Sequence, residues 1–139
     1  MGTMYETFEH TADLGLRVLA PDLDTLFAEA AQALFSAIVE DLATVEPRQQ
    51  VEVKLAGDDR PYLLFDWLNE LLFRFDTEHL LFSRFEVKVR DGSLDGTAWG
   101  EPHDPARHAL DHEVKAITYH GLRVDQTPDG WLAEVIVDI

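Results

Sequence analysis

A chain of 139 residues, 46% of them hydrophobic, is long enough to bury one core, and its lack of any cysteine excludes disulfides, thiolate metal sites and thiol nucleophiles together. Its 27 acidic against 11 basic residues give a formal net charge of −16, which repels the phosphates that non-specific nucleic-acid binding needs. No apolar run reaches the ~18 residues of a membrane span, and Met1 to His10 lacks the basic and apolar regions of a secretory leader, so a cytoplasmic location is expected.

Without repeats, low-complexity tracts or linkers, residues 1–139 read as a single domain. Tyr5 to Phe8 and Leu14 to Leu19 are expected strands around the polar segment His10-Thr11-Ala12-Asp13. Leu23, Leu26, Phe27, Ala30, Leu34, Phe35 and Ile38 recur every three or four residues, the period of an amphipathic helix, with Asp22 or Asp24 available as N-cap. Pro47 closes the next loop, and Val51, Val53 and Leu55 alternate with polar residues as a strand. Pro61 suits the first turn of a second helix that buries Leu64, Phe65, Leu68, Leu71, Leu72 and Phe75.

Phe85, Val87 and Val89 form a strand that turns at Asp91-Gly92 into another, Ser93 to Gly100. Glu101 to His112 reads as a long polar loop, and Val114 to Val124 as extended chain. Thr127-Pro128-Asp129-Gly130 turns into a last strand whose Trp131, Ala133, Val135 and Val137 share one face. The expected fold is α+β, two amphipathic helices packed on one face of a mostly antiparallel sheet as a single-domain sandwich.

Chemistry-bearing motifs are few. Nucleophile-elbow, phosphate-loop and dinucleotide fingerprints are missing, and Ser36, Ser83 and Ser93 have no activating context. His103, His108 and His112 are spaced five and four apart, which matches no established zinc pattern, and they read as pH-sensitive surface groups. Asp66-Trp67-Leu68-Asn69-Glu70 is either a solvated helix face or a partner surface.

Asp13 lies near one end of the chain and Asp138 near the other. If the terminal strands pair side by side, these two carboxylates and the α-carboxyl group of Ile139 meet, making an all-oxygen site for Mg²⁺, Mn²⁺ or Ca²⁺. Otherwise each Asp caps a strand and faces water. Lys115 stands in an otherwise apolar strand close to an aromatic and a histidine. It is either an outward-pointing lysine or a cation that balances Asp13 and Asp138 or neutralises phosphate charge.

His10-Thr11-Ala12-Asp13-Leu14-Gly15, Asp66-Trp67-Leu68-Asn69-Glu70-Leu71-Leu72, Asp104-Pro105-Ala106-Arg107-His108, Lys115-Ala116-Ile117-Thr118-Tyr119-His120 and Val137-Asp138-Ile139 together resemble the archease family along essentially the whole chain. The resemblance implies an accessory factor of the RtcB-type RNA ligase, which joins tRNA exon halves. In that family the accessory protein promotes transfer of a guanylyl group from GTP to the ligase and sustains multiple turnover. Family metal ligands map onto Asp13, Asp138 and the Ile139 carbonyl or carboxylate, and a functionally important lysine maps onto Lys115. The cofactor implied is a divalent metal (Ca²⁺, Mg²⁺ or Mn²⁺), GTP being the partner's substrate. A protein this acidic is expected to reach RNA through a basic partner rather than by direct binding. Two alternatives stay open: a chaperone-like modulator of a tRNA cytosine methyltransferase, and a stand-alone metal-dependent hydrolase in which the same carboxylates activate water.

Overall fold

Two antiparallel sheets enclose the apolar side chains in the computed structural model, which describes residues 3–10 and 13–139, the side chains of residues 8–10 apart. The first contains β1 (Met4–His10), β2 (Asp13–Ala20), β8 (Gly130–Asp138) and β6 (Ala116–Ile117) in that order, with β7 (Arg123–Thr127) also paired to β8. The second runs β3 (Gln49–Ala56), β5 (Ser93–Pro102), β4 (Leu80–Arg90). The helices are α1 (Leu23–Ile38) and α2 (Arg60–Glu78). The expected α+β arrangement of two helices on antiparallel strands is therefore what forms, with the strands divided between two sheets. The link at Thr11 and Ala12 lies outside the described residues. Val114 to Val124 is less extended than its sequence suggests, because the chain turns between β6 and β7 at Gly121, where φ is 62°.

Local signals account for the helix starts. Asp22 caps α1 by accepting the Thr25 N–H at 2.8 Å. Asp24, the other candidate, accepts the Val89 N–H at 2.7 Å instead and ties α1 to β4. Asp59 caps α2, with Pro61 in its first turn. One buried stripe of α2 includes Trp67, whose indole N–H donates to the Phe27 carbonyl at 3.0 Å and joins the two helices. The ring fills space above Gly96 of β5, where any Cβ would collide with it. Sequence periodicity overlooked Trp67 and Leu63, and it assigned Phe65 and Phe75 to the core although they are only half-buried. Among the described residues no helix is long and apolar enough to cross a membrane.

A buried polar clasp holds the long loop after β5. Glu101 is 3% exposed and accepts from Arg107 at 2.6 and 3.0 Å, from the Glu46 N–H at 2.7 Å and from His108 Nε2 at 3.0 Å. His108 Nδ1 accepts the Asp104 N–H at 2.8 Å, which makes Nε2 the N–H that reaches Glu101. The Arg107 guanidinium above all, with the Glu46 N–H and His108, holds the Glu101 carboxyl down at about 2 against the opposing effect of burial.

A carboxyl depressed in the folded state stabilises fully above its unfolded value, here 4.5, and that contribution is lost as pH falls toward about 2. Glu101→Gln should lower stability by roughly 2–3 kcal/mol at neutral pH, the worth of a charged hydrogen bond, and should flatten the acid limb of the stability profile. Thermal melts followed by circular dichroism across the acid range check both. Parallel acid limbs in the two proteins would exclude Glu101 as the titrating group.

Candidate functional site

β2 and β8 run side by side with Leu14 opposite Val137, Leu16 opposite Val135 and Val18 opposite Ala133, all of them buried. Side chains alternate between faces along a strand, so Asp13 and Asp138 fall on the other face, directly opposite each other. Residues so placed have Cβ atoms about 5 Å apart. The same row continues to His10 of β1 on one side and Ala116 of β6 on the other. Asp13 is half-buried, Asp138 is exposed, and the half-buried Ile139 packs against the core. Neither carboxylate has a side-chain hydrogen bond or ion pair among the described residues.

Lys115 joins the same strand end, its backbone N–H donating to the Asp138 carbonyl at 2.8 Å. Its side chain is exposed and carries no ion pair among the described residues. Thr118 adds a backbone and a hydroxyl hydrogen bond to the Ile136 carbonyl, at 3.0 and 2.8 Å, and so fixes this segment against β8. Like charges directly opposite on paired strands repel, and a cation between them reverses the sign of that interaction.

The donor chemistry suits a hard divalent ion. Two carboxylates and an Ile139 oxygen are all oxygen donors, on a face open enough for a bound ion to keep part of its water shell. Among the described residues no group of three or more His, Asp or Glu side chains converges.

His103, His108 and His112 do not form a site, and the expectation of surface histidines fails for His108, which is 1% exposed and committed to Glu101. The His103 ring lies against the His108 ring, centroids 6.0 Å apart, and the His112 backbone N–H bonds the Ala37 carbonyl. In the Asp66–Glu70 segment the solvated-face reading fits only part of the residues, because two of them are buried in the core. Asp66 and Asn69 are exposed, Trp67 and Leu68 are core, and Glu70 accepts from Arg74 at 3.1 Å. Motif reading missed an aromatic group at the start of α2, where Phe65 and Tyr119 stack with centroids 4.1 Å apart and Tyr62 meets Tyr119 edge-on at 5.3 Å.

Residues 5–139 match the Archease protein family (MTH1598/TM1083). The archease of Methanopyrus kandleri is 45% identical over 139 residues, covering 97% of this chain and 99% of that protein. The archease of Pyrococcus furiosus is 41% identical, covering 97% and 98%. The solution structure of Methanobacterium thermoautotrophicum protein 1598 superposes with a TM-score of 0.86 at 40% identity, covering 97% of this chain and 98% of that one. The crystal structure of an archease and possible chaperone from Thermotoga maritima shares the fold, with a TM-score of 0.64 at 18% identity and full coverage of both chains.

Asp138→Asn removes one of two facing charges. The metal-free variant should gain a few tenths to about 1 kcal/mol of stability. Ca²⁺ should raise the melting temperature of the wild type and leave the variant's unchanged. Melting in chelator and in millimolar Ca²⁺ tests this, and equal Ca²⁺ stabilisation would remove Asp138 from the cation-binding set.

Proposed function

This chain belongs to the archease family, and on that footing we propose that it is an accessory protein that activates an RtcB-type RNA ligase, promoting guanylylation of the ligase from GTP and multiple turnover in tRNA splicing and RNA repair. The observation that carries the reading is the pairing of Asp13 with Asp138, unneutralised by any described residue and beside Ile139 and Lys115.

Asp13, Asp138 and an oxygen of Ile139 would hold the divalent ion, with Mg²⁺, Mn²⁺ and Ca²⁺ all compatible with the donors. Bound there, the ion supplies positive charge for the nucleotide phosphates of the partner. The two carboxylates would hold it at the end of the sheet where Asp138 is exposed. Lys115 contributes a point charge with three donors at the same end, suited to phosphate oxygens that have no fixed bidentate geometry. Four residues on, Tyr119 presents an exposed ring that stacks on Phe65 of α2.

The charge of the whole molecule supports an indirect role in RNA metabolism. A net charge of −16 speeds encounter with a basic protein face and disfavours direct capture of RNA.

Asp13→Ala and Asp138→Ala should each reduce labelled guanylyl transfer to the ligase to the rate of the ligase alone, with melting temperatures within a few degrees of wild type. Lys115→Ala should slow the stimulated rate by roughly tenfold or more, the scale of losing one charge from an electrostatic site. Single-turnover assays with purified cognate ligase, GTP and divalent ion measure all three. Full stimulation by both aspartate variants would end the cation reading.

A further inference from the structure

The outer face of α2 is an exposed stripe that interleaves two aromatic side chains with two carboxylates and an amide. Tyr62, Asp66, Asn69, Phe73 and Asp76 follow one another at intervals of four, three, four and three residues, and all are exposed. At 100° per residue these positions stay on one side of the helix, and Tyr62 and Phe73 lie about 16 Å apart along its axis. Tyr119 widens the stripe at its N-terminal end by stacking on Phe65 and meeting Tyr62 edge-on. Among the described residues, five large apolar side chains are exposed, and three of them, Tyr62 (52%), Phe73 (55%) and Tyr119 (57%), stand here. Clustering of that kind marks an interaction surface, whereas scattered exposed apolar residues do not.

We propose that this aromatic and acidic face of α2, together with Tyr119, is the docking surface for an arginine- and lysine-bearing face of the partner enzyme. The inference rests on the activator reading above and gives it a location. Charge complementarity selects the occupant. Among the described residues neither cation of α2 lies on the stripe: Arg60 sits over the Trp131 ring, and Arg74 pairs with Glu70 and Glu78 at 3.1 and 3.4 Å. A guanidinium stacks on a tyrosine face while its N–H groups reach an adjacent carboxylate, so Tyr62, Asp66 and Tyr119 offer both halves of an arginine-binding arrangement. Tyrosine and arginine are also the residue types that dominate interface energetics.

Single-stranded RNA, the other usual guest of exposed aromatics, brings phosphates that Asp66, Asp76 and the net charge of −16 repel. A second copy of this chain brings the same carboxylates face to face. The surface also adjoins the cation-binding end. Tyr119 lies three residues beyond Ala116, which pairs with Asp138, a path of about 10 Å at the rise of extended chain. A partner seated on α2 would therefore reach the Asp13–Asp138 pair without either protein refolding.

The test titrates fluorescently labelled protein with purified cognate ligase at low and high salt, using Tyr62→Ser/Tyr119→Ser and, as a variant that leaves all packing in place, Asp66→Lys. Both are checked for wild-type melting, and Ca²⁺ affinity of the free chain is measured by calorimetry. The expected result is a Kd for the ligase raised at least tenfold by each variant, a shallower salt dependence for Asp66→Lys, and unchanged Ca²⁺ affinity. Ligase Kd values within twofold of wild type for both variants would overturn the docking face while leaving the activator reading intact. A loss of Ca²⁺ affinity would overturn it as well, by tracing the defect to the cation site. So would variants that lose only binding to a polyuridine oligonucleotide, or only self-association. If the wild-type protein neither binds nor stimulates the ligase, the activator reading fails and the docking face fails with it.

Discussion

The antiparallel register of β2 against β8 is the constraint on which the rest of the molecule depends. It joins the two ends of the chain and sets the apolar face of the first sheet: Leu14, Leu16 and Val18 opposite Val137, Val135 and Ala133. Strand side chains repeat every two residues, so a slip of β2 by one would turn Leu14, Leu16 and Val18 outward and carry Asp13 away from Asp138. Each large apolar side chain buried there is worth roughly 1.5–3 kcal/mol, whereas two carboxylates facing each other across a pair cost at most about 1 kcal/mol. The core therefore decides the register, and the facing aspartates are carried along as a local strain that the fold easily tolerates.

Two further devices hold that geometry in place. Asp24 and Trp67 fasten the helices to the second sheet and to each other through single directed hydrogen bonds, to the Val89 N–H and the Phe27 carbonyl. The Glu101, Arg107 and His108 clasp then anchors the loop that delivers Lys115 to the end of β8. All three members are satisfied and two are almost fully buried, the condition under which a buried ionic network rigidifies rather than weakens a core. The loop following β5 has little regular structure, yet its path is set by charge-assisted hydrogen bonds.

The distribution of charge separates structural from available groups. All eight arginines pair with carboxylates: Arg17, Arg48, Arg60, Arg74, Arg84, Arg90, Arg107 and Arg123. Lys54, Lys88 and Lys115 make no ion pair among the described residues. The field felt by an approaching molecule is thus set by surplus carboxylates, and this favours a basic partner over RNA for the exposed aromatics of α2.

Element types, strand alternation, the two N-cap candidates of α1 and the acidic character of the surface were legible in the sequence because each depends on residues close together along the chain. Trp67 was not, since its burial depends on the gap above Gly96 in a strand that follows almost thirty residues later. His108 was misread for a similar reason: polar neighbours suggested solvent, but Glu101 and the Thr44 carbonyl enclose it. The sequence by itself made Asp13, Asp138 and Ile139 the candidates for a divalent ion, necessarily a hard one, with Lys115 as a candidate cation beside them. Only tertiary structure decided that the two aspartates face each other, because register between the ends of a chain is set by packing across the sheet and leaves no local trace in either segment.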